Sequence, residues 1–431
     1  MSISLVVDVI IFAIGTGALL TLYLPFSPMT IDMVNLRRET QISIYRNRRL
    51  FWVIGIVGLA TIFLRGLYAM IEPAAAGSLF AASSPSWFWI SAVTSLALAF
   101  MFWSGYVPFV MSPPQNPEVL SLQEGDRYLG DDDVVLGFEY EGQVRAYPRD
   151  SIARPHFFND KIAGQNFTVS YCILCNSGIA FKSEINNQPI QLRCVTAYNN
   201  NILYYDPASD NFIQQLDGKV IDGPDTGKEL TSYPVTIATW KEWKTLYPDT
   251  KLYYAPPATI RDKMVGMMLQ MMIPIEKLAK RKKPWHRIRG KLDKREPAMS
   301  YVFGVEINGD SCAFTQRKLS QEKIINDTVG GEEITIFYDK ERDIGKIYRR
   351  NLDGKILNFE PESRDGSGIV ARDRETQSAW NLMGQAVDGQ LKGKHLDAVP
   401  HFNKLFWFSW ALFKPGTRIG LGDSDNNSVR A

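Results

Sequence analysis

Three long apolar runs stand near the start of the chain, and a polar region with alternating strands follows them. The runs extend from about Ser4 to Phe26, from Leu50 to Ile71 and from Ser86 to Val110. Each holds the roughly 20 apolar residues that a helix needs to cross a bilayer core, and flanking Trp and Tyr suit the membrane interface. We predict a three-helix transmembrane anchor at 1–111, followed by a linker at 112–130.

Two charged residues interrupt these runs. Asp8 stands in the first run and Arg65 in the second, each close to an end. A long side chain at such a place can carry its charge to the headgroups. We therefore expect Arg65 to reach a headgroup and Asp8 to reach water. A cleaved signal peptide is the alternative for the first run, but no basic segment precedes it and two further runs follow.

The loops on either side of the second run differ in charge. The loop before it carries five arginines: Arg37, Arg38, Arg46, Arg48 and Arg49. The loop after it has no basic residue. The positive-inside rule then places the first loop and everything after the third run in the cytoplasm. We predict a multi-pass protein of the inner cell membrane with a cytoplasmic soluble region; an exported orientation is the alternative.

The soluble region contains two similar hairpin patterns. Val134 to Pro148 alternates about a Glu141-Gly142 turn, and Val302 to Gln316 alternates about Asn308-Gly309. Period-two alternation around such dipeptides is the strongest local signal for a β-hairpin. Both patterns are therefore predicted to form antiparallel strand pairs.

Further landmarks recur in the same order after each hairpin. The segment His156–Cys172 parallels Lys323–Asp339, and a Trp pair closes each half, first Trp240 and Trp243, then Trp407 and Trp410. Recurrence of several landmarks in one order indicates an internal repeat. We predict an α+β fold in which three N-terminal transmembrane helices precede two tandem, diverged β-rich domains. Their ranges are 131–258 and 298–420, with a linker at 259–297 and a tail at 421–431.

The linker between the two β-rich domains changes character along its length. Its first part is Met-rich and apolar at helical spacing, and its second part is strongly basic around Trp285. This combination is typical of a segment lying on an anionic membrane surface, where lipid headgroups would be its partners. A solvated basic linker is the alternative. The methionines could also supply thioether ligands for Cu(I), although adaptable packing explains them more simply.

The composition gives no support for nucleic-acid binding, and its few cysteines contain one candidate site. The net charge of +2 gives no general argument for nucleic-acid binding. The chain has four cysteines, too few for a disulfide-stapled scaffold. Two of them, Cys172 and Cys175, form a Cys-x-x-Cys pair where a predicted strand meets a turn, so we expect an accessible rim. Cys194 and Cys312 fall on predicted strands and are expected in the core.

Three kinds of chemistry suit the Cys-x-x-Cys pair. A thiol redox site needs the pair and a group that lowers one thiolate pKa, for which His156, Arg145 and Arg149 are candidates. A metal site needs further ligands; His156 and Cys194 could complete one, and two thiolates can suffice for copper as Cu(I) or another soft ion. Small buried cysteines can also be purely structural. Cys172, Cys175 and His156 are thus the predicted site, whether catalytic or metal-binding.

The order of these landmarks resembles a known family. The hairpin, His156 with Asn159-Asp160, Tyr171-Cys172-x-x-Cys175 with Gly178, Tyr198-Asn199 and the closing Trp segment are similar to the bacterial domain-of-unknown-function family numbered 3179. The resemblance spans about 131–419 except the linker. It implies a fold and a motif, without a reaction.

The two halves differ in which landmarks they keep. The second half has no cysteine pair, and instead keeps a run with Asp373, Arg374 and Trp380 that the first half replaces with DPASDNF. That run could form a polar site or a structural Arg–Asp pair on Trp380. Two functions stay open for the chain: a membrane-tethered thiol redox or copper site, and a non-enzymatic scaffold or binding module. The sequence does not decide whether the protein is an enzyme, and it names no protein partner.

Overall fold

The structure is a computed structural model that describes residues 3–78, 80–114, 117–257, 259–362 and 368–420. The predicted tail at 421–431 lies outside these ranges. Apolar helices occupy the N-terminal quarter, and small β-sheets with short helices form the remainder. The α+β class and the three apolar helices are as predicted.

Six helices form the N-terminal region. They are α1 (Ile3–Tyr23), α2 (Ile31–Val34), α3 (Arg38–Arg46), α4 (Arg48–Ile71), α5 (Ser86–Gly105) and α6 (Val107–Val110). The apolar segments Ile3–Phe26, Arg48–Ile71 and Ser86–Gly105 are long and apolar enough to cross a membrane. Much of their surface is exposed and apolar, which is typical of helices that face lipid.

Small residues bring α1 and α4 together. A Cβ added at Gly58 would lie 2.7 Å from the Cα of Gly15, so no larger side chain fits where the two backbones cross. Close approach at small residues is the usual way for membrane helices to pack.

The two charged residues of these helices also meet: the Arg65 guanidinium lies 2.9 Å from the Asp8 carboxylate, which is fully buried. The expectation that each reaches water or a headgroup is therefore wrong.

The first β-rich region follows the apolar helices. Its elements are β1 (Glu118–Leu120), α7 (Leu122–Gly125), β2 (Val134–Tyr140), β3 (Gln143–Pro148), α8 (Arg149–Ile152), β4 (Phe157–Ile162), β5 (Gln165–Cys172), β6 (Ser177–Lys182), β7 (Glu184–Ile185), β8 (Gln188–Pro189), β9 (Arg193–Tyr198), β10 (Asn201–Asp206), β11 (Asn211–Gln214), β12 (Val220–Asp222), β13 (Ser232–Pro234), β14 (Thr236–Thr239), α9 (Trp240–Leu246) and β15 (Lys251–Tyr254). The hairpin predicted about Glu141-Gly142 is β2–β3.

The linker and the second β-rich region complete the described chain. Their elements are α10 (Ile260–Met272), α11 (Ile275–Leu278), β16 (Tyr301–Ile307), β17 (Asp310–Thr315), α12 (Gln316–Glu322), β18 (Ile324–Val329), β19 (Glu332–Asp339), β20 (Ile344–Arg349), β21 (Asn351–Leu352), β22 (Lys355–Ile356), β23 (Phe359–Pro361), β24 (Ile369–Asp373), β25 (Ala379–Asn381), β26 (Ala386–Asp388), β27 (His401–Phe406), α13 (Trp407–Phe413) and β28 (Arg418–Ile419). The second predicted hairpin is β16–β17.

The sheets of the two regions have corresponding strand orders. In the first region β14, β2, β3 and β15 are neighbours, and β15 runs parallel to β3. In the second region β27, β16, β17 and β28 are neighbours, and β28 runs parallel to β17. The meander β4–β5–β6 likewise has its counterpart in β18–β19–β20. The chain therefore traces the same path twice.

A buried Trp closes the corresponding sheet in each region. Trp243 donates its indole N–H to Thr250 Oγ1 at 2.9 Å, and Trp410 donates to Thr417 Oγ1 at 2.8 Å. Each indole packs on a glycine of the central strand, where an added Cβ would overlap the ring. The apolar body of the ring is thus buried while its one polar atom is satisfied.

The two β-rich regions interlock. Strand β27 of the second lies against β6 of the first, and β14 of the first lies against β20 of the second. One apolar core joins Tyr171 to Leu405 and Trp407, and another joins Trp243 to Phe337. The second region also has an apolar core of its own around Phe303, Phe314 and Ile336, and the two shared cores join the regions beside their turns.

Candidate functional site: the Cys172–Cys175 pair

The cysteine pair lies at the turn between β5 and β6. Cys172 is the last residue of β5, and Cys175 stands in the turn before Ser177 opens β6. Asn176 supplies the left-handed conformation that reverses the chain, with a φ of 54°, which Asn tolerates better than most residues. Tyr171 Oη donates to the Asn176 side chain at 2.7 Å and ties the turn together. The strand-to-turn location was predicted correctly.

The pair is not at an accessible rim. Both cysteines have no exposed surface. The second region covers the turn, because Phe406 N–H donates to Cys175 O at 3.0 Å and Asn176 Nδ2 donates to Lys404 O at 2.6 Å. The expectation of an exposed edge is therefore wrong, and its physical reason is the interlocking of β27 with β6.

The two thiols are close together and surrounded by polar groups. Cys172 and Cys175 come within 3.3 Å of each other, and both are free thiols. Cys172 Sγ lies 3.2 Å from Asn200 O, so its one proton can go either to that carbonyl or to Cys175. Cys175 Sγ lies 3.1 Å from Ser177 Oγ, and Asn201 Nδ2 donates to it at 3.3 Å. The sulfurs are buried, but they are not in a purely apolar pocket.

A buried amide holds these donors in place. Gln215 Oε1 accepts from Ser177 Oγ at 2.8 Å and from Asn201 Nδ2 at 2.7 Å. Asn201 has two amide protons, so it can serve Gln215 and Cys175 together. Ser177 has one proton and can turn it to Cys175 when that residue is a thiolate. The network can therefore stabilise one negative charge on Cys175.

The electrostatics distinguish the two cysteines. Burial acts to raise the pKa of Cys175, but hydrogen bonds from Cys172, Ser177 and Asn201 outweigh it and lower the pKa to about 7. Burial raises the pKa of Cys172 well above its ordinary range, as does its hydrogen bond to Cys175. The hydrogen bonds therefore favour a thiolate at Cys175 over one at Cys172. A depressed pKa on one cysteine of a Cys-x-x-Cys pair is the usual mark of a reactive dithiol.

The predicted cationic partners do not lower this pKa. Burial lowers the pKa of His156 to about 4, so its ring is neutral, and its Nδ1–H donates to Tyr171 O at 3.2 Å. Arg145 lies 3.5 Å from Asp160, and Arg149 pairs with Asp150. The thiolate is therefore stabilised by neutral hydrogen-bond donors instead of by a positive charge.

A metal site of three or more ligands is not formed in the described ranges. No group of three or more His, Cys, Asp or Glu side chains there is placed to hold a metal ion. His156 and Cys194 do not join the pair as ligands. The donor set at the pair consists of two thiols and amide or hydroxyl groups, which suits sulfur chemistry better than a closed zinc site.

The remaining candidates occupy structural positions. Cys194 lies on β9 and Cys312 on β17, both buried as expected. Asp373 does not pair with Arg374. It accepts from the Trp380 indole at 2.9 Å and from Thr376, while Arg374 binds Glu360.

A cavity of about 660 Å³ adjoins the pair. Its wall includes Cys172 with the two intervening residues, Ile173 and Leu174, and also His156 and Cys194. Cys175 is not part of this wall. Cys172 is therefore the cysteine of the pair on the cavity side, although its own surface is buried.

Sequence reasoning missed the polar residues that matter most for the pair. Asn201 and Gln215 follow Cys175 by more than twenty residues. The Asn199-Asn200-Asn201 run and the Gln214-Gln215 pair were the available signals, since consecutive amides beside predicted strands are unusual. Only the fold brings them to the sulfurs.

The fold and the site together define a class: a β-rich protein with one buried dithiol and three helices long enough to cross a membrane. A model of the family described as "Protein of unknown function (DUF3179)" matches residues 107–417. The chain belongs to this family. No curated protein matches it. No solved structure matches it either.

Proposed function

We propose that this protein is a membrane-anchored dithiol protein whose Cys172 and Cys175 alternate between a dithiol and a disulfide. The observation that carries the proposal is the asymmetry of the pair. Cys175 Sγ lies among hydrogen-bond donors that lower its pKa, and Cys172 lies on a cavity wall, where burial raises its pKa. Two structural cysteines would need neither feature.

The asymmetry assigns each sulfur a role. In the disulfide form, a thiolate entering from the cavity attacks Cys172 Sγ and expels Cys175 as a thiolate. A low pKa makes Cys175 the better leaving group. A second thiol then displaces the mixed disulfide from Cys172. The net reaction consumes the protein disulfide and two thiols, and yields the protein dithiol and one external disulfide; the reverse steps reoxidise the pair.

The test is a redox titration of the full-length protein in detergent. Samples are equilibrated in oxidised and reduced dithiothreitol at graded ratios, and free thiols are then alkylated and counted by mass spectrometry. We expect two thiols, Cys172 and Cys175, to be lost in one two-electron transition. In Cys175→Ser this transition should be absent, because dithiothreitol releases any mixed disulfide on Cys172 with its own second thiol. Cys312→Ser is the matched control and should leave the transition unchanged.

Two results would favour other functions. If both thiols stay reduced at every ratio, the cysteines are structural, and the result favours the non-enzymatic scaffold or binding module. If Cu(I) binds at one ion per protein and blocks alkylation of both cysteines, the pair is a copper site. Two thiolates can bind that ion without a third ligand.

The apolar helices and the basic linker support a place at the bilayer. We propose that α1, α4 and α5 form a multi-pass anchor in the inner cell membrane and that the linker contacts anionic headgroups. Lys280, Arg281, Lys282 and Lys283 are consecutive and exposed, and cationic runs of this kind attract an anionic leaflet.

The soluble region and the loop after α1 belong to one side of the proposed membrane. Arg46 of that loop lies 2.6 Å from Asp222 and 3.3 Å from Asp210. The arginine count then favours a cytoplasmic location. A cysteine introduced at exposed Glu141 should react with an impermeant maleimide only after permeabilisation. Labelling in intact cells would show the exported orientation.

The corresponding paths of the two β-rich regions support an internal duplication. Asn176 and Asp343 both take left-handed conformations in corresponding turns, as do His156 and Lys323 before corresponding strands. We propose that the regions at 131–258 and 298–420 are two diverged copies of one unit and that the first copy alone carries the Cys-x-x-Cys pair.

A further inference from the structure

The cavity beside Cys172 lies between the apolar helices and the first β-rich region. Its wall combines residues that follow α1, such as Ile31, with Val107 and Met111 after α5 and with Met267 and Ile273 at the linker helix α10. At about 660 Å³ it falls within the range of small-molecule sites. Every one of these segments adjoins an end of a proposed membrane helix or packs on one.

The walls favour an uncharged, lipophilic ligand. Aliphatic side chains and methionines line most of the space, and the charges among them largely cancel. Arg154 and Arg261 both contact Asp262, at 3.4 and 3.7 Å, and Glu276 lies 3.3 Å from Arg149. A pocket without a clear excess of one charge gives little affinity for an anion such as glutathione.

The bilayer is the natural source of such a ligand. The outer surface of α10 presents Met264, Met267 and Met271, with 48%, 59% and 81% of their surfaces exposed. An exposed apolar helix face that contacts α5 is suited to the interfacial region of a membrane. Met267 belongs both to this face and to the cavity wall, so apolar surface continues from the proposed bilayer into the cavity.

Resting on the proposed function, we propose that the cavity binds a quinone from the bilayer, which oxidises the Cys172–Cys175 dithiol. Quinones are uncharged lipophilic carriers that accept two electrons and two protons. The Cys172 thiol gives its proton to a quinone oxygen as its sulfur adds to the ring, and the Cys175 thiolate then attacks Cys172 Sγ. The C–S bond breaks, and its electron pair passes to the ring. One dithiol and one quinone thus become one disulfide and one quinol, and the second quinol oxygen takes from solvent the proton that Cys175 had released.

Gly266 offers a way to close the cavity without breaking the helix. It lies on α10 at the wall, has an ordinary helical φ, and a Cβ there would meet only Arg154 Nε at 4.0 Å. Gly266→Phe should therefore send a ring into the cavity. Met271→Phe is the matched control, because Met271 is on the same helix, is highly exposed and is not part of the wall.

The experiment uses full-length, prereduced protein in lipid nanodiscs under anaerobic conditions, with a decyl-substituted benzoquinone as the probe. We expect one quinol per protein, formed together with the Cys172–Cys175 disulfide. Gly266→Phe should slow quinol formation at least tenfold and leave the midpoint of the dithiothreitol titration unchanged. Met271→Phe should match the wild type. Cys172→Ser should still bind the quinone, measured by equilibrium dialysis, but form no quinol.

Several outcomes would overturn the inference. Cycling in dithiothreitol buffers without any quinone reaction would refute the quinone and leave the proposed function standing. Equal rates in Gly266→Phe and the wild type would place the reaction outside the cavity. A phospholipid that copurifies in the cavity and is not displaced by the probe would identify a lipid tail as the occupant. Absence of cycling in every buffer would refute the proposed function itself.

Discussion

The turn after β5 and the turn after β19 occupy corresponding places in the two β-rich regions, yet different side chains close them. In the first, Cys172 and Cys175 come within 3.3 Å. In the second, Asp339 and Arg342 stand at those positions and form an ion pair of 2.7 Å. Both turns share the same support, since Tyr171 donates to Asn176 and Tyr338 donates to Asp343.

The comparison shows that the backbone of this turn does not require sulfur. An ion pair serves the second region, where Asp339 also accepts from the N–H groups of Glu341 and Arg342 at 3.0 and 3.1 Å. The first region uses two thiols and surrounds one of them with donors. If the two cysteines served only to stabilise the fold, neither the polar pocket around Cys175 nor the difference in pKa between Cys172 and Cys175 would be needed.

The largest expected effect is a difference between the two turns in how much a substitution lowers the free energy of unfolding. Asp339→Ala removes the acceptor of two backbone N–H groups and of Arg342, and should lower the free energy of unfolding by about 2–3 kcal/mol. Cys172→Ala removes only a small buried side chain and should cost about 1 kcal/mol. Chemical unfolding of each variant in detergent measures both. Equal losses would mean that the thiol pair, like the ion pair, is chiefly structural.

The next effect concerns the pKa of Cys175. Ser177→Ala removes one hydrogen bond to the thiolate, whereas the corresponding Ile344 of the second region has none to give. We expect the pKa to rise from about 7 by about one unit, or about 1.4 kcal/mol. The difference in thiolate absorbance between each protein and its Cys175→Ser derivative, followed against pH, measures the shift.

The same variant has a consequence for stability. Because the folded pKa of Cys175 lies below its ordinary value of 9.0, thiolate formation stabilises the folded protein fully above pH 9 and this contribution is lost as the pH falls to about 7. Ser177→Ala should reduce this stabilisation of the folded protein by the Cys175 thiolate. Ser311→Ala, at a buried serine away from the pair, should change neither quantity, and an unchanged profile in Ser177→Ala would remove the serine from the network.

The smallest effect tests the Trp–Thr contact that the two regions share. Thr250→Val and Thr417→Val each leave a buried indole N–H without its acceptor. We expect Thr250→Val to lower the free energy of unfolding by about 1 kcal/mol and Thr417→Val to lower it somewhat more, because Thr417 Oγ1 also donates to Ser311 O at 3.0 Å. Thr245→Val, at an exposed helix position, is the control. A loss at only one site would show that the two contacts differ in their importance for stability.

Local patterns account for what the sequence predicted well. The hairpins about Glu141-Gly142 and Asn308-Gly309 depend on neighbouring residues. The apolar helices are predicted by the length of the apolar runs. The location of the cysteine pair on a strand-to-turn junction was local too. The burial of the pair was not, because it depends on β27, more than two hundred residues away. The same limitation hid Asn201 and Gln215, and it led to His156 being chosen as the group that tunes the thiolate.

The pairing of Asp8 with Arg65 has a consequence for how the proposed anchor is built. Either helix alone would carry a bare charge into lipid, which costs several kcal/mol. Together they present a neutral pair, further held by the Ser83 N–H donated to Asp8 at 2.7 Å. In the proposed anchor the first two apolar helices would therefore have to enter the membrane together for this pair to form. Deleting the first helix from an expressed protein would leave the Arg65 guanidinium in the membrane without Asp8. We expect this deletion to destabilise the second helix as well.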